Sequence, residues 1–148
     1  MAPEPATVCY VDTSALVKRY VEEAGSDAFD AFCELAGIER VLCPLGMTEF
    51  IGVLQRRIRS KSLSRAQASA VHQRFLADVA AGGWRMVEFD TGLFTDAGHL
   101  MTDLGVPLST LDAMHLACAL HHRAQELATA DSQLATAARK AKLRVRTF

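Results

Sequence analysis

Four acidic side chains, Asp12, Glu49, Asp112 and Asp131, lie far apart in the chain, and each sits among apolar neighbours. Asp12 closes the run Val8-Cys9-Tyr10-Val11, and Asp131 closes Leu127-Ala128-Thr129-Ala130. Glu49 falls between Met47 and Phe50-Ile51, and Asp112 opens Ala113-Met114-His115-Leu116-Ala117-Cys118. A lone carboxylate in apolar surroundings is costly, so it protonates, pairs or meets a metal. Four of them brought together would make an oxygen-only site suited to Mg²⁺ or Mn²⁺ rather than zinc. Such ions lower the pKa of a bound water and offset charge on a leaving oxygen.

The elements around these residues say how they could meet. Thr7–Asp12 reads as a fully buried strand, because its apolar run is continuous rather than alternating. Further strands are expected at Arg40–Cys43, Met86–Phe89, Leu127–Ala130 and, at an edge, Leu143–Val145. Helices are expected from Thr13 or Ser14 to about Glu22, from Gly25-Ser26 to about Ala36, and from Pro44 through Ile58. Others run from the Ser62-Leu63-Ser64 break to Gly82, from Thr91 to Leu104, from Ser109 or Thr110 to His122, and from Ser132 to Ala141. Strands alternating with helices imply a mainly parallel sheet covered on both faces. The expected fold is therefore α/β: a three-layer α/β/α domain over residues 1–148 with about five short strands and a loose tail at 1–6. In an open parallel sheet, ligands bind at the carboxyl ends of the strands. Asp12 and Asp131 fall at strand ends and so share one edge. Glu49 and Asp112 lie near the starts of helices whose N-termini approach the same edge. Taken singly, each acid has a plainer reading: Asp12 and Asp131 as helix N-caps, Asp112 as a complement to a helix dipole, Glu49 as an exposed helix residue.

The net charge of −1 gives no global attraction to nucleic acid or membrane. The local distribution is uneven. From Phe50 to Ala77 there is no acid, yet Arg56, Arg57, Arg59, Lys61, Arg65 and Arg74 fall there. A second basic run holds Arg139, Lys140, Lys142, Arg144 and Arg146. Both runs could grip phosphates, or could be solvated helix faces. Within the stretch from Arg56 to Arg65, Arg56, Arg57, Arg59 and Lys61 are the candidates for contact with a phosphate backbone. Lys18 and Arg19, one to two turns after Asp12, read better as solvated surface than as phosphate ligands. The four cysteines form no C-x-x-C pair, the histidines show no zinc spacing, and no signal peptide or membrane-length apolar run is visible. A reducing cytoplasm is the expected compartment.

The segments Val11-Asp12-Thr13-Ser14-Ala15-Leu16-Val17-Lys18, Thr48-Glu49-Phe50, Ser109-Thr110-Leu111-Asp112-Ala113-Met114-His115-Leu116-Ala117 and Thr129-Ala130-Asp131-Ser132-Gln133-Leu134 resemble, in order, the four acidic motifs of PIN-domain nucleases. Their spacing and the chain length are similar to those of VapC-type toxins of toxin–antitoxin pairs. The family often has Gly before the last strand, where this chain has Lys142. The resemblance implies a PIN-like fold and a Mg²⁺- or Mn²⁺-dependent endoribonuclease that hydrolyses RNA phosphodiesters without a covalent intermediate. It implies Asp12 and Asp112 as the first metal ligands. Glu49 and Asp131 would complete the cluster, directly or through water. Ser14 and Thr129 could orient a carboxylate or a water, or could act only in capping and turn formation. It also implies a VapB-type antitoxin partner and a homodimer. Two alternatives are a non-catalytic PIN-like binding module and a Mg²⁺-dependent phosphotransfer domain. The second is weakened because position 14 is Ser, where a D-x-D phosphatase needs an acid.

Overall fold

A computed structural model describes residues 6–148, so the tail expected at 1–6 lies outside the described residues except for Ala6. Five strands form one parallel sheet: β1 (Thr7–Val11), β2 (Ile38–Leu42), β3 (Arg85–Met86), β4 (Glu126–Thr129) and β5 (Arg144–Thr147), in the order β3-β2-β1-β4-β5. Seven helices connect them: α1 (Thr13–Leu16), α2 (Ser26–Cys33), α3 (Pro44–Arg59), α4 (Arg65–Ala80), α5 (Gly92–Asp103), α6 (Thr110–His121) and α7 (Ser132–Lys140). The expected α/β architecture with about five short parallel strands is the one found.

Because successive strand residues face opposite ways, β1 divides its side chains between two cores. Tyr10, with Val41 and Leu127, packs under α5, α6 and α7. Cys9 and Val11, with Leu42 and Ala128, pack under α1 to α4. The three layers follow from that alternation. On the second face Phe50 is fully buried, with its ring 4.6 Å from Phe75 and 5.6 Å from Tyr20. Truncating such a ring costs about 3–5 kcal/mol. Phe50 thereby fixes the rotation of α3, and the adjacent Glu49 is turned toward the sheet edge.

Strand order reverses between β1 and β4, the switch point where an open parallel sheet leaves a crevice beyond its carboxyl ends. Tyr10 pairs with Leu127 and Val11 with Ala128, so Asp12 and Thr129 leave the sheet side by side. The ladder runs one step further, with the Asp12 amide donating to the Ala128 carbonyl at 3.0 Å.

Three expectations are corrected. The first helix does not run to Glu22: it is one turn, Thr13–Leu16, followed by a 3-10 turn at Val17–Arg19. The third strand is Arg85–Met86 rather than Met86–Phe89. Past Val87 the chain bonds to α6 instead of the sheet, and the Glu88 carbonyl lies 2.7 Å from His122 Nε2 and 3.9 Å from Cys118 Sγ. The second helix ends at Cys33, short of Ala36, and Gly37 supplies a left-handed turn (φ 74°) before β2. Lys142 has φ 72°, in the left-handed region that glycine enters freely, so the chain adopts the turn even without the glycine.

Candidate metal and nucleic-acid site

Asp12, Glu49, Asp112 and Asp131 all line one open cleft of about 270 Å³ at the switch point. Space of that size accommodates a hydrated ion. The cleft also takes in Thr13, Ser14, Arg56, Leu111 and His115.

Asp12 is 3% exposed and begins α1. Its Oδ1 accepts from the Ser14 hydroxyl at 2.6 Å and from the Ala15 amide at 3.2 Å. Its Oδ2 accepts from the Thr129 hydroxyl at 2.8 Å. The Ser14 hydroxyl accepts from the Ala130 amide at 2.8 Å, and Thr129 Oγ1 accepts from the Asp131 amide at 2.9 Å. The two hydroxyls therefore stitch the end of β1 to the end of β4 and fix the carboxylate between them. Asp131 is the N-cap of α7, accepting from the Leu134 amide at 2.8 Å. Asp12 and Asp131 are thus both helix caps and cleft residues, and the two readings of the sequence hold together.

Asp112 lies in the first turn of α6, which Ser109 caps by accepting from the Asp112 amide at 3.2 Å. Glu49 is on α3, two residues past the turn that Pro44 opens. Glu49, Gly52, Val53 and Arg56 all line the cleft, the spacing of one helix face. Glu49 Oε2 accepts from the Thr13 hydroxyl at 2.6 Å and is paired with His115 Nε2.

His115 is 2% exposed and lies one turn past Asp112. Its Nδ1 is 2.7 Å from the Tyr10 hydroxyl, which donates to Cys43 Sγ at 2.9 Å. If the Tyr10 proton goes to sulfur, its oxygen accepts Nδ1–H, and both ring nitrogens donate. Burial alone would lower the His115 pKa, but the neighbouring Cys43, the bond to Glu49 and the charges of Glu49 and Asp12 prevail and raise it to about 10. Burial pushes Glu49 up, and the His115 bond and charge, with Thr13 and Arg56, bring it below its usual value. Glu49 is therefore held toward its ionised form by a buried imidazole.

Burial raises the pKa of Asp12 against the opposing bonds from Ser14 and Thr129. Asp112 is raised by burial and, against the Ser109 bond, by the charges of Asp131 and Asp12. In both, burial outweighs the opposing hydrogen bonds and the charge of His115. Among the described residues, no three His, Cys, Asp or Glu side chains converge tightly enough to chelate an ion as they sit. The donor chemistry nonetheless fits a hard divalent cation: four carboxylates with hydroxyl support, and two of them held up in pKa by burial and crowding.

The basic residues divide. Arg56 lines the cleft itself, and Arg59 and Lys61 are exposed at and just past the end of α3. Arg57 turns instead to Glu23. Lys18 is not solvated surface as expected: it is 8% exposed and donates to Glu23 Oε1 at 3.0 Å and the Ala24 carbonyl at 2.5 Å. Arg19 pairs with Asp30 at 2.9 Å. Arg144 and Arg146 of the second basic run both pair with Glu126.

Sequence reasoning did not single out Thr13, His115 or Arg56 as cleft residues alongside the acids, although Arg56 was a backbone-contact candidate. Helical phase was the available signal. His115 is three residues past Asp112, and Arg56 is seven past Glu49.

The PIN domain family model matches residues 9–140. The fold is also that of several solved structures. VapBC2 from Rickettsia felis, bound to a DNA fragment from its promoter, matches with TM-score 0.67 and 15% identity over 96% of this chain and 99% of that one. The sarcin–ricin loop cleaving toxin VapC20 of Mycobacterium tuberculosis matches with TM-score 0.65 and 16% identity over 87% of this chain and 94% of that one. FitAB bound to a DNA fragment matches with TM-score 0.67 and 16% identity over 94% of each chain. No curated protein sequence matches the chain. With the family model covering nearly the whole length, the chain belongs to the PIN domain family.

Proposed function

We propose that this protein is a Mg²⁺- or Mn²⁺-dependent endoribonuclease and the toxin of a VapBC-type toxin–antitoxin pair. The observation that carries the proposal is the convergence of four carboxylates, from four separate elements, on one cleft at the sheet's switch point. Asp12 and Asp112 would hold the cation, whose charge would offset the burial that raises both carboxylates. Glu49 and Asp131 complete the acidic ring. A divalent ion there supplies Lewis acidity, activating water and offsetting charge on the leaving oxygen. The protein's own part is positional. Ser14 and Thr129 lock the Asp12 carboxylate, and Thr13 and His115 lock Glu49. Arg56 presents a guanidinium at the cleft for an RNA phosphate, with Arg59 and Lys61 extending the track and Arg57 held back by Glu23.

A VapB-type antitoxin partner is supported by solved neighbours that are themselves toxin–antitoxin assemblies, among them the Salmonella typhimurium and Rickettsia felis VapBC structures. A homodimer belongs to the same reading. A cytoplasmic site of action is supported by four free cysteines, and among the described residues no helix is long and apolar enough to cross a membrane.

Incubating the purified protein with a structured RNA and Mn²⁺ tests the proposal. Cleavage should stop in EDTA and return when Mn²⁺ is restored. An RNA left whole, or cut equally well in EDTA, refutes it. RNA binding without cleavage would select the non-catalytic alternative. Arg56→Ala should raise KM for RNA while leaving kcat within about twofold. It should also flatten the dependence of log affinity on log salt by about 0.7–1, the share of one phosphate contact. An unchanged slope removes Arg56 from the phosphate track.

A further inference from the structure

A buried line of side chains runs behind the cleft from Cys43, at the end of β2, through Tyr10 on β1 and His115 on α6, to Glu49 on α3. Three of its four members are almost sealed from solvent: Tyr10 at 0%, Cys43 at 1% and His115 at 2% exposure. Only Glu49 reaches the cleft, and only in part.

The geometry points to His115 as a positioning residue that, backed by Tyr10, holds Glu49 through Oε2 so that its other oxygen, Oε1, is the one offered to the reacting groups. The inference rests on the nuclease reading above and specifies how one of its carboxylates works. Both donors to Glu49 given by the structure, Thr13 Oγ1 and His115 Nε2, meet the same oxygen. A carboxylate so held cannot swing to offer both oxygens without leaving a buried imidazole N–H unpaired. Glu49 is therefore confined to offering one oxygen to the cleft, whereas Asp12 and Asp112 carry no such tether to an imidazole. The imidazole plane is in turn set by Tyr10, whose ring meets it edge-on at 5.7 Å centroid separation while its hydroxyl holds Nδ1. Partners behind a site group typically change activity or metal affinity 10–100-fold when removed.

Two measurements test this, one of them independent of activity. In the metal-free protein, the nitrogen-15 imidazole spectrum should show a slowly exchanging His115 Nε2–H. Glu49→Gln should move that resonance, and Tyr10→Phe should move the Nδ1 signal. An Nε2–H that exchanges as fast as that of the exposed His99, and is unmoved in Glu49→Gln, overturns the inference. In cleavage assays, His115→Leu should lower kcat about 10–100-fold with RNA KM unchanged, and His115→Gln, which keeps an N–H toward Glu49, should recover most of the loss. In a Glu49→Gln background the same His115→Leu change should cost less than about threefold. Equal losses in both backgrounds would make His115 a purely structural residue and overturn the inference. A wild-type protein that cleaves no RNA sinks the nuclease reading instead, and the imidazole spectrum then decides the tether to Glu49 on its own.

Discussion

Asp12→Asn should abolish RNA cleavage, by at least about 10²–10³-fold in kcat, while the fold remains intact. The magnitude is that of removing a group which stabilises transition-state charge. The substitution keeps Oδ1 as an acceptor for Ser14 and the Ala15 amide, so the cap on α1 survives. It replaces Oδ2 by an amide that can donate to Thr129 Oγ1. What it removes is a buried negative charge. Burial raises the Asp12 pKa, so at neutral pH the ionised carboxylate works against the metal-free fold rather than for it. The melting temperature without metal should therefore hold or rise. Circular dichroism melting and an RNA cleavage time course check the two halves together. A variant that still cleaves at the wild-type rate takes Asp12 out of the reaction, and one that does not fold shows that its role is structural.

Millimolar Mn²⁺ or Mg²⁺ should raise the wild-type melting temperature. At a hundred times Kd, a ligand that binds only the native state adds about 2.7 kcal/mol. For a chain of this size that is a shift of roughly 5–11 °C. The pH dependence has a definite sign. Asp12 and Asp112 have folded-state pKa values above their ordinary ones, so the stability linked to them is present at low pH and falls as pH rises through those raised values. Metal binding needs the ionised forms, so the increment it gives should grow over the same rise in pH. The Glu49–His115 pair moderates the trend. Glu49, lowered in the folded protein, contributes stability above its unfolded pKa that is lost only as pH falls through the lowered value. His115, raised to about 10, contributes stability fully present below its unfolded pKa and lost as pH climbs toward that value. Differential scanning fluorimetry across pH, with and without metal, reads both effects. Asp12→Asn should lose most of the metal increment. A melting temperature indifferent to metal at every pH contradicts a shared cation site.

The parts of the molecule that could be read from sequence are those where a local rule and the global topology agree. Asp12 and Asp131 end apolar strand runs, and parallel pairing alone brings such residues to one edge. Glu49 and Asp112 follow proline-marked breaks, so their helix starts were visible. The strand at Met86–Phe89 was misplaced because its apolar run looks like sheet, whereas tertiary bonds from His122 and Cys118 draw the Glu88 carbonyl away from it. The first helix was drawn too long because the run after Asp12 continues to Tyr20 without a breaker. Tyr20 instead enters an aromatic cluster with Phe50 and Phe75, and its hydroxyl donates to Asp78 at 2.7 Å, so the chain turns early. Lys18 reads as surface in the sequence because nothing there shows that the chain turns back after it, bringing Glu23 and the Ala24 carbonyl onto its ammonium. His115 was invisible for a different reason. A single histidine in the helix Ala113–Leu120 looks like a core residue, and it is one; its service to Glu49 depends on a helix far away in sequence.

Asp12 and Asp112 are expected to share a divalent cation at the switch point of the sheet. Crystals soaked in Mn²⁺ and measured for anomalous scattering test it most directly. The expected result is a peak in the cleft between the two carboxylates, at oxygen distances of about 2.0–2.3 Å, close to those of other small hard cations, and its loss in Asp12→Asn crystals. A saturated soak with no peak in the cleft, or with Mn²⁺ bound only elsewhere on the surface, would contradict it.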